Sequence, residues 1–176
     1  MQLFWLQGYD ATSLQDLLDA MTLSKSSFYQ AFASKHTLFT ECLERYTQQT
    51  IDTWHDRLAT SRSGLEFVTR TLADVIDEAR RSDPKGCFVV NTASEFAQTD
   101  SQIGECVTAG MRSFRSIFRD AVTRGQKDGS VRADRQAGLL VDYLVTTMSG
   151  LRTMVKAGTN RATLDRTRKL IVASIT

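Results

Sequence analysis

Apolar residues recur at steps of three and four along nearly the whole chain, and that period leaves few choices of fold. Leu65, Val68, Leu72, Val75 and Ala79 follow it, as do Val107, Met111, Phe114, Phe118 and Ala121. The most regular series is Ala137, Val141, Leu144, Met148, Leu151 and Val155. Side chains at this spacing share one face of a helix, whereas a strand would alternate every second residue. No segment sustains such alternation, so an all-α fold is expected. Punctuation then cuts the pattern into helices. Gly8 closes a first short helix. Thr12-Ser13-Leu14-Gln15 fits a capping box, in which the Thr12 hydroxyl and the Gln15 amide satisfy free backbone amides. Ser24 and Ser34 can cap the next two helices. Ser63-Gly64, Asp83-Pro84 with Gly86, Asp128-Gly129 and Gly158 mark later breaks. About nine helices are predicted, over 1–7, 13–20, 25–31, 35–59, 65–82, 86–98, 101–127, 134–156 and 160–175.

Composition removes several classes of function. No run of about 18 apolar residues exists to span a membrane, and the first residues lack the pattern of a secretory signal. A cytoplasmic protein is expected. Cys42, Cys87 and Cys106 have no Cys-x-x-Cys spacing, and the chain holds 2 histidines. Neither a disulfide scaffold, a metal site nor a cofactor is therefore expected. No nucleophile–base pairing or phosphate loop points to an enzyme, and His36 and His55 read as surface residues. Net charge is +2. Its distribution runs against nucleic-acid binding near the N-terminus. There Lys25, Lys35 and Arg45 face Asp10, Asp16, Asp19, Glu41 and Glu44, a net −2 over residues 1–50, whereas a DNA-binding module usually carries a basic footprint.

Residues 13–32 nevertheless read as helix, tight turn, helix. Leu14, Leu17 and Leu18 mark the inner face of the first helix, and Thr22-Leu23-Ser24 forms the turn. In the second helix Phe28 and Phe32 point inward at i, i+4. Lys25, Ser26, Ser27, Tyr29 and Gln30 are left to point outward. A short helix offering hydroxyls, an amide and a cation suits the major groove. Gln pairs bidentately with adenine, Lys meets guanine or phosphate, and hydroxyls serve either. The same residues would also suit a solvated surface hairpin.

The stretch Gly8-Tyr9-Asp10-Ala11-Thr12-Ser13-Leu14-Gln15-Asp16-Leu17-Leu18, then Leu23-Ser24-Lys25-Ser26-Ser27-Phe28-Tyr29-Gln30-Ala31-Phe32-Ala33-Ser34-Lys35-His36-Thr37-Leu38-Phe39, resembles the DNA-binding domain of the tetracycline-repressor (TetR) family. The resemblance implies a helix-turn-helix domain over 1–47 and a ligand-binding and dimerisation domain over 48–176. It implies DNA contacts from Thr12, Ser13, Ser24, Lys25, Ser26, Ser27, Tyr29, Gln30 and Lys35. Of these, Thr12, Tyr29 and Lys35 would hold phosphates, which set affinity and register rather than sequence. Two positions depart from the family. Thr22 stands where glycine is usual in the turn. The first helix is also shorter than the family's, which carries further turns and a basic arm ahead of Phe4. Fewer phosphate contacts would weaken binding.

Beyond residue 48 the helices bear no motif of their own. The family resemblance implies a homodimer through the last two helices, reading a palindromic double-stranded operator. The series from Ala137 to Val155 has the spacing of a helix-on-helix seam, with Leu164, Ile171 and Ile175 on the neighbouring helix. Ser149-Gly150 would permit close approach. An effector pocket is expected between the fifth and eighth helices, walled by Phe67, Thr71, Phe88, Asn91, Thr92, Phe96, Met111, Phe114 and Phe118. Asn91 and Thr92 would be its polar groups. Cys87 follows Gly86 at an expected helix start, where the dipole favours a thiolate. It is a candidate electrophile or oxidant sensor, or else a small buried hydrophobe. The function expected is a repressor released from its operator by a small molecule. The alternatives are a helical dimeric binding protein with impaired DNA binding, or a thiol sensor of the same family.

Overall fold

The computed structural model describes residues 1–96 and 99–176. Among them the only regular elements are helices: α1 (Gln2–Gln7), α2 (Leu14–Met21), α3 (Lys25–Phe32), α4 (Lys35–Thr60), α5 (Gly64–Glu78), α6 (Phe88–Phe96), α7 (Ser101–Asp128), α8 (Ala137–Lys156) and α9 (Arg161–Ile175). All nine predicted helices exist, with moved ends. The second begins on a different cap. Ser13, not Thr12, accepts from the Asp16 amide, and the Asp16 carboxylate returns a bond to the Ser13 amide at 2.8 Å. Gln15 instead donates to Asp19 at 2.7 Å. Asp16 is the shorter and charged partner, and its carboxylate is held below its ordinary pKa by the Ser13 hydroxyl and then the Ser13 amide.

Helix α5 stops four residues before its predicted end. The Glu78 carboxylate accepts from the backbone amides of Lys85 and Gly86 at 3.0 and 2.9 Å, so the chain folds back there. Helix α6 begins at Phe88 rather than 86, and residues 97–98 of its predicted span lie outside the described residues. Helix α8 begins at Ala137 rather than 134, because Arg132 and Asp134 pair side by side ahead of it.

Phe28 is wholly buried beneath α3, and Leu17 and Leu18 of α2 join it in the core. Helix α3 rests on α4. Helix α4 then runs unbroken through residues 47 and 48, at about 39 Å for 26 residues. Helix α7 lies against α4, α5, α6 and α8, and α9 covers α5 and α8. Helices α5 and α7 approach closely where Gly64 meets the backbone of Ala121 and Gly125.

The α2–α3 turn carries a local cost. Thr22 sits at φ 55°, ψ 44°, in the left-handed region, which is strained for a β-branched residue. Thr22 is exposed, so nothing else depends on its side chain. Thr22→Gly is therefore expected to raise unfolding free energy by about 1 kcal/mol. A urea titration checks this, and an unchanged or lower midpoint would contradict it.

Candidate nucleic-acid interface and effector site

The α3 surface is built by its caps. Ser24 accepts from the Ser27 amide at 3.1 Å, and the two hydroxyls lie 2.9 Å apart. Both are thus engaged at the helix start. Lys25, Ser26, Tyr29 and Gln30 are exposed. Ser26 and Gln30, four apart, lie opposite the Phe28–Phe32 face, with Tyr29 beside them. Tyr29 is 46% exposed and meets Phe28 edge-on at 5.5 Å, which fixes its ring while the hydroxyl end stays open.

Lys35 opens α4. Its Nζ lies over the Tyr9 ring, 4.2 Å from the centroid, so a cation–π contact sets the direction of the ammonium. Burial first, then the charges of Asp10 and Asp100, push the Tyr9 hydroxyl above its usual pKa, so Tyr9 serves here as a neutral aromatic platform. Next to it, His36 Nε2 and Asp100 Oδ2 are 2.8 Å apart, tying the start of α4 to the N-cap of α7. Thr12 does not reach this surface. It is wholly buried, and its hydroxyl donates to the Gly8 carbonyl at 2.7 Å. The Thr12 side chain is thus turned away from the surface where the resemblance places a phosphate, and the exposed Ser13 is what α2 presents at that point.

The nine residues expected to wall one effector pocket are divided. Phe114 and Phe118 line a narrow apolar slot of about 20 Å³ together with Tyr46, Trp54, Cys87, Met148 and Arg152. Phe88, Asn91 and Thr92 border a separate cleft of about 450 Å³ between α1 and α6. Thr71 borders a third, of about 320 Å³, with Trp5, Tyr46, Thr50, Arg57 and Arg152. Phe67, Phe96 and Met111 border none of these three. Phe67 is closed off against Phe118, and Phe96 packs edge-on to Tyr9. The polar groups do not converge either. Asn91 donates to the Lys85 carbonyl and Thr92 to that of Phe88, each at 2.9 Å.

Sequence reasoning missed Trp5, Tyr46, Thr50, Trp54 and Arg152. Trp5 stacks edge-on against Tyr46 at 4.9 Å, so α1 and α4 share the rim of this region. Burial, then the neighbouring Cys87, pushes the Tyr46 hydroxyl far above its usual pKa. Burial works against charge on Arg152, but Cys87, Tyr46, Glu78 and Asp74 outweigh it and hold the guanidinium above its ordinary value. Cys87 is a free, buried thiol just ahead of α6. No group of three or more His, Cys, Asp or Glu among the described residues could hold a metal ion.

The face presented by the last two helices also differs from expectation. Val141, Leu144, Met148, Leu151 and Val155 are buried within the protomer, as are Leu164, Ile171 and Ile175. The regular seam is therefore internal. Outside it lie Leu139, Met154 and Leu170, which are 58%, 46% and 67% exposed. A Cβ added at Gly138 or Gly150 would meet nothing within 4 Å.

A capped recognition helix braced on a long helix, with a helical body beyond, defines a helix-turn-helix regulator. Two family profiles match the chain: bacterial regulatory proteins of the tetR family over residues 1–42, and the tetracyclin repressor-like C-terminal domain over residues 64–171. The chain belongs to the TetR family of bacterial transcriptional regulators. It is 25% identical to the transcriptional repressor DhaR of Mycobacterium sp. (strain GP1), over 94% of this chain and 82% of that one. Against the Escherichia coli repressor ComR identity is 24%, over 90% and 76%. Among solved structures, a cysteine mutant of the regulator CifR complexed with 26-base-pair operator DNA superposes with a TM-score of 0.86. It is 27% identical, over 99% of this chain and 91% of that one. Escherichia coli NemR in its reduced form shares the fold, with a TM-score of 0.89 at 18% identity, over 99% and 91%.

Proposed function

We propose that the chain is a cytoplasmic repressor that binds a palindromic operator as a homodimer and is released by a small-molecule effector. The observation that carries this reading is the exposed face of α3. Lys25, Ser26, Tyr29 and Gln30 form no hydrogen bond or ion pair with the described side chains, so they are free for DNA. Of these Tyr29 would hold a phosphate, as would Lys35 at the start of α4, with Ser13, Ser24 and Ser27 at the helix starts. The CifR operator complex, on the same fold at 27% identity, supports it. We divide the chain at residue 47, so that α4 belongs to both modules and couples them. Pairing follows from the outer face of α8 and α9. There Leu139, Met154 and Leu170 are apolar, and the open glycines allow close helix approach. The effector region lies where α1, α4 and α8 meet. A ligand there shifts operator affinity only by as much as it prefers one α4 position over another.

An electrophoretic shift against the DNA flanking the gene tests the reading. We expect a specific complex whose affinity falls steeply with salt. Tyr29→Phe removes one phosphate contact and is expected to weaken every sequence alike, whereas Gln30→Ala relaxes selection at one base position at about 1–3 kcal/mol. A shift that is insensitive to both substitutions would exclude α3 as the reading element. The thiol-sensor reading retains one supporting observation, that Cys87 lines the same slot as Arg152.

A further inference from the structure

We propose that the effector is a small organic carboxylate, held between Arg152 of α8 and Trp5 of α1. This rests on the repressor reading above and adds the chemistry of its ligand. Two donors motivate it. The indole Nε1 of Trp5 is buried with no hydrogen-bond partner. Arg152 belongs to none of the ion pairs among the described residues, and no described side chain accepts a hydrogen bond from it. Trp5 and Arg152 border the same two clefts, of about 320 and 380 Å³. A buried indole N–H without an acceptor is costly, and a half-buried guanidinium outside every ion pair among the described residues has donors left for an anion. A carboxylate offers two oxygens and one charge, which suits a guanidinium fork with one further N–H.

The carboxylates of the second cleft, Asp74, Asp77 and Glu78, act on Arg152 only through space, for each has its own partner, Asp77 pairing with Arg80 and Arg161. Asp74 pairs with Arg57, and Glu78 accepts from the amides of Lys85 and Gly86. Arg152 also borders the apolar slot beneath, whose 20 Å³ holds about one water-sized group. The ligand's terminal methyl enters that slot beside Phe114, and the rest of a short chain stays in the cleft above it. The position accounts for regulation. The ligand would join α1, which underlies the DNA-binding module, to α8 of the body across Tyr46 of α4.

The test is calorimetric titration of the protein with butyrate, butyramide and inorganic phosphate, with operator binding followed in parallel. Butyrate is expected to bind and release DNA, with butyramide and phosphate at least tenfold weaker. Arg152→Met is expected to weaken butyrate at least about thirtyfold, and Trp5→Phe about tenfold. Arg152→Lys keeps the charge without the fork and should lose less than Met. If Arg152→Met does not fold, the Lys and Phe variants and the butyrate–butyramide ratio decide. Equal binding of butyrate and butyramide, no binding of butyrate, or unchanged affinity in both Arg152→Lys and Trp5→Phe would overturn the proposal. So would phosphate binding as tightly as butyrate. Inertness to butyrate, with oxidant-driven release that Cys87→Ser abolishes, would overturn it in favour of Cys87 as the responding group. The repressor reading fails separately, if the protein gives no salt-sensitive operator complex at all.

Discussion

Leu170→Glu is expected to split the dimer and reduce operator affinity about a thousandfold, to the level of non-specific binding. Leu170 is 67% exposed in the single protomer, so a charge there costs the isolated chain almost nothing. At a two-fold interface the residue appears twice, and each carboxylate would lose water without gaining a partner. Glu at this site therefore acts on association and leaves the helical core alone. Sedimentation of the variant should give a monomer with wild-type helicity. Gel shifts should then show only weak binding, because one recognition helix reads too few bases to select a site. A dimeric variant with intact operator affinity would remove the α8–α9 face from the interface.

Gly64→Ala is the second large effect, and it acts on the fold. A Cβ at this position would lie 2.1 Å from the Ala121 carbonyl oxygen and 2.4 and 2.6 Å from the Gly125 amide nitrogen and Cα. Those atoms belong to the α7 backbone and cannot swing aside as a side-chain tip would. Helix α5 must therefore lift from α7 at its first turn. Overpacking of this kind costs about 3 kcal/mol or more, a large part of the roughly 5–15 kcal/mol that holds a domain together. Gly64 also donates its amide to Asp128 at 3.1 Å, and Leu65 donates to Ser130 at 3.2 Å. The same displacement breaks both bonds, so the loss should be cooperative. Thermal unfolding checks it, and a melting temperature within about 2 °C of wild type would mean that α5 yields cheaply.

The period of the apolar residues makes the helices legible, because burial on one face repeats wherever a helix meets a core. It does not say which body that face meets. The series from Val141 to Val155 reads as a seam between subunits, yet it closes on α5 and α7 of the same chain. The weaker pattern of Leu139, Gly150 and Met154 is the face left over. Caps are legible to within one residue. Thr12 and Ser13 are both competent, and the choice falls to whichever finds a carboxylate three residues on. The recognition helix is legible almost entirely, since its chemistry is local. The effector region is not. Tyr46, Thr50 and Trp54 sit on a helix whose length suggests only a connector, and Arg152 sits in an apolar series as a surface cation would. In the proposed reading they become a site through the meeting of α1, α4 and α8, distant stretches that no single segment describes.

The α3 helix separates two tasks that many binding surfaces combine. Ser24, Phe28 and the turns at Thr22 and Ala33 hold the helix in place, Ala33 at φ 59° included. Lys25, Ser26, Tyr29 and Gln30 make no side-chain hydrogen bond or ion pair among the described residues, and only the Tyr29 ring leans on Phe28. The base-facing part of this set can thus be exchanged as a cassette. Substitutions confined to Lys25, Ser26 and Gln30, with Tyr29 kept, should redirect the protein to new operators with little change in its melting temperature or its response to effector.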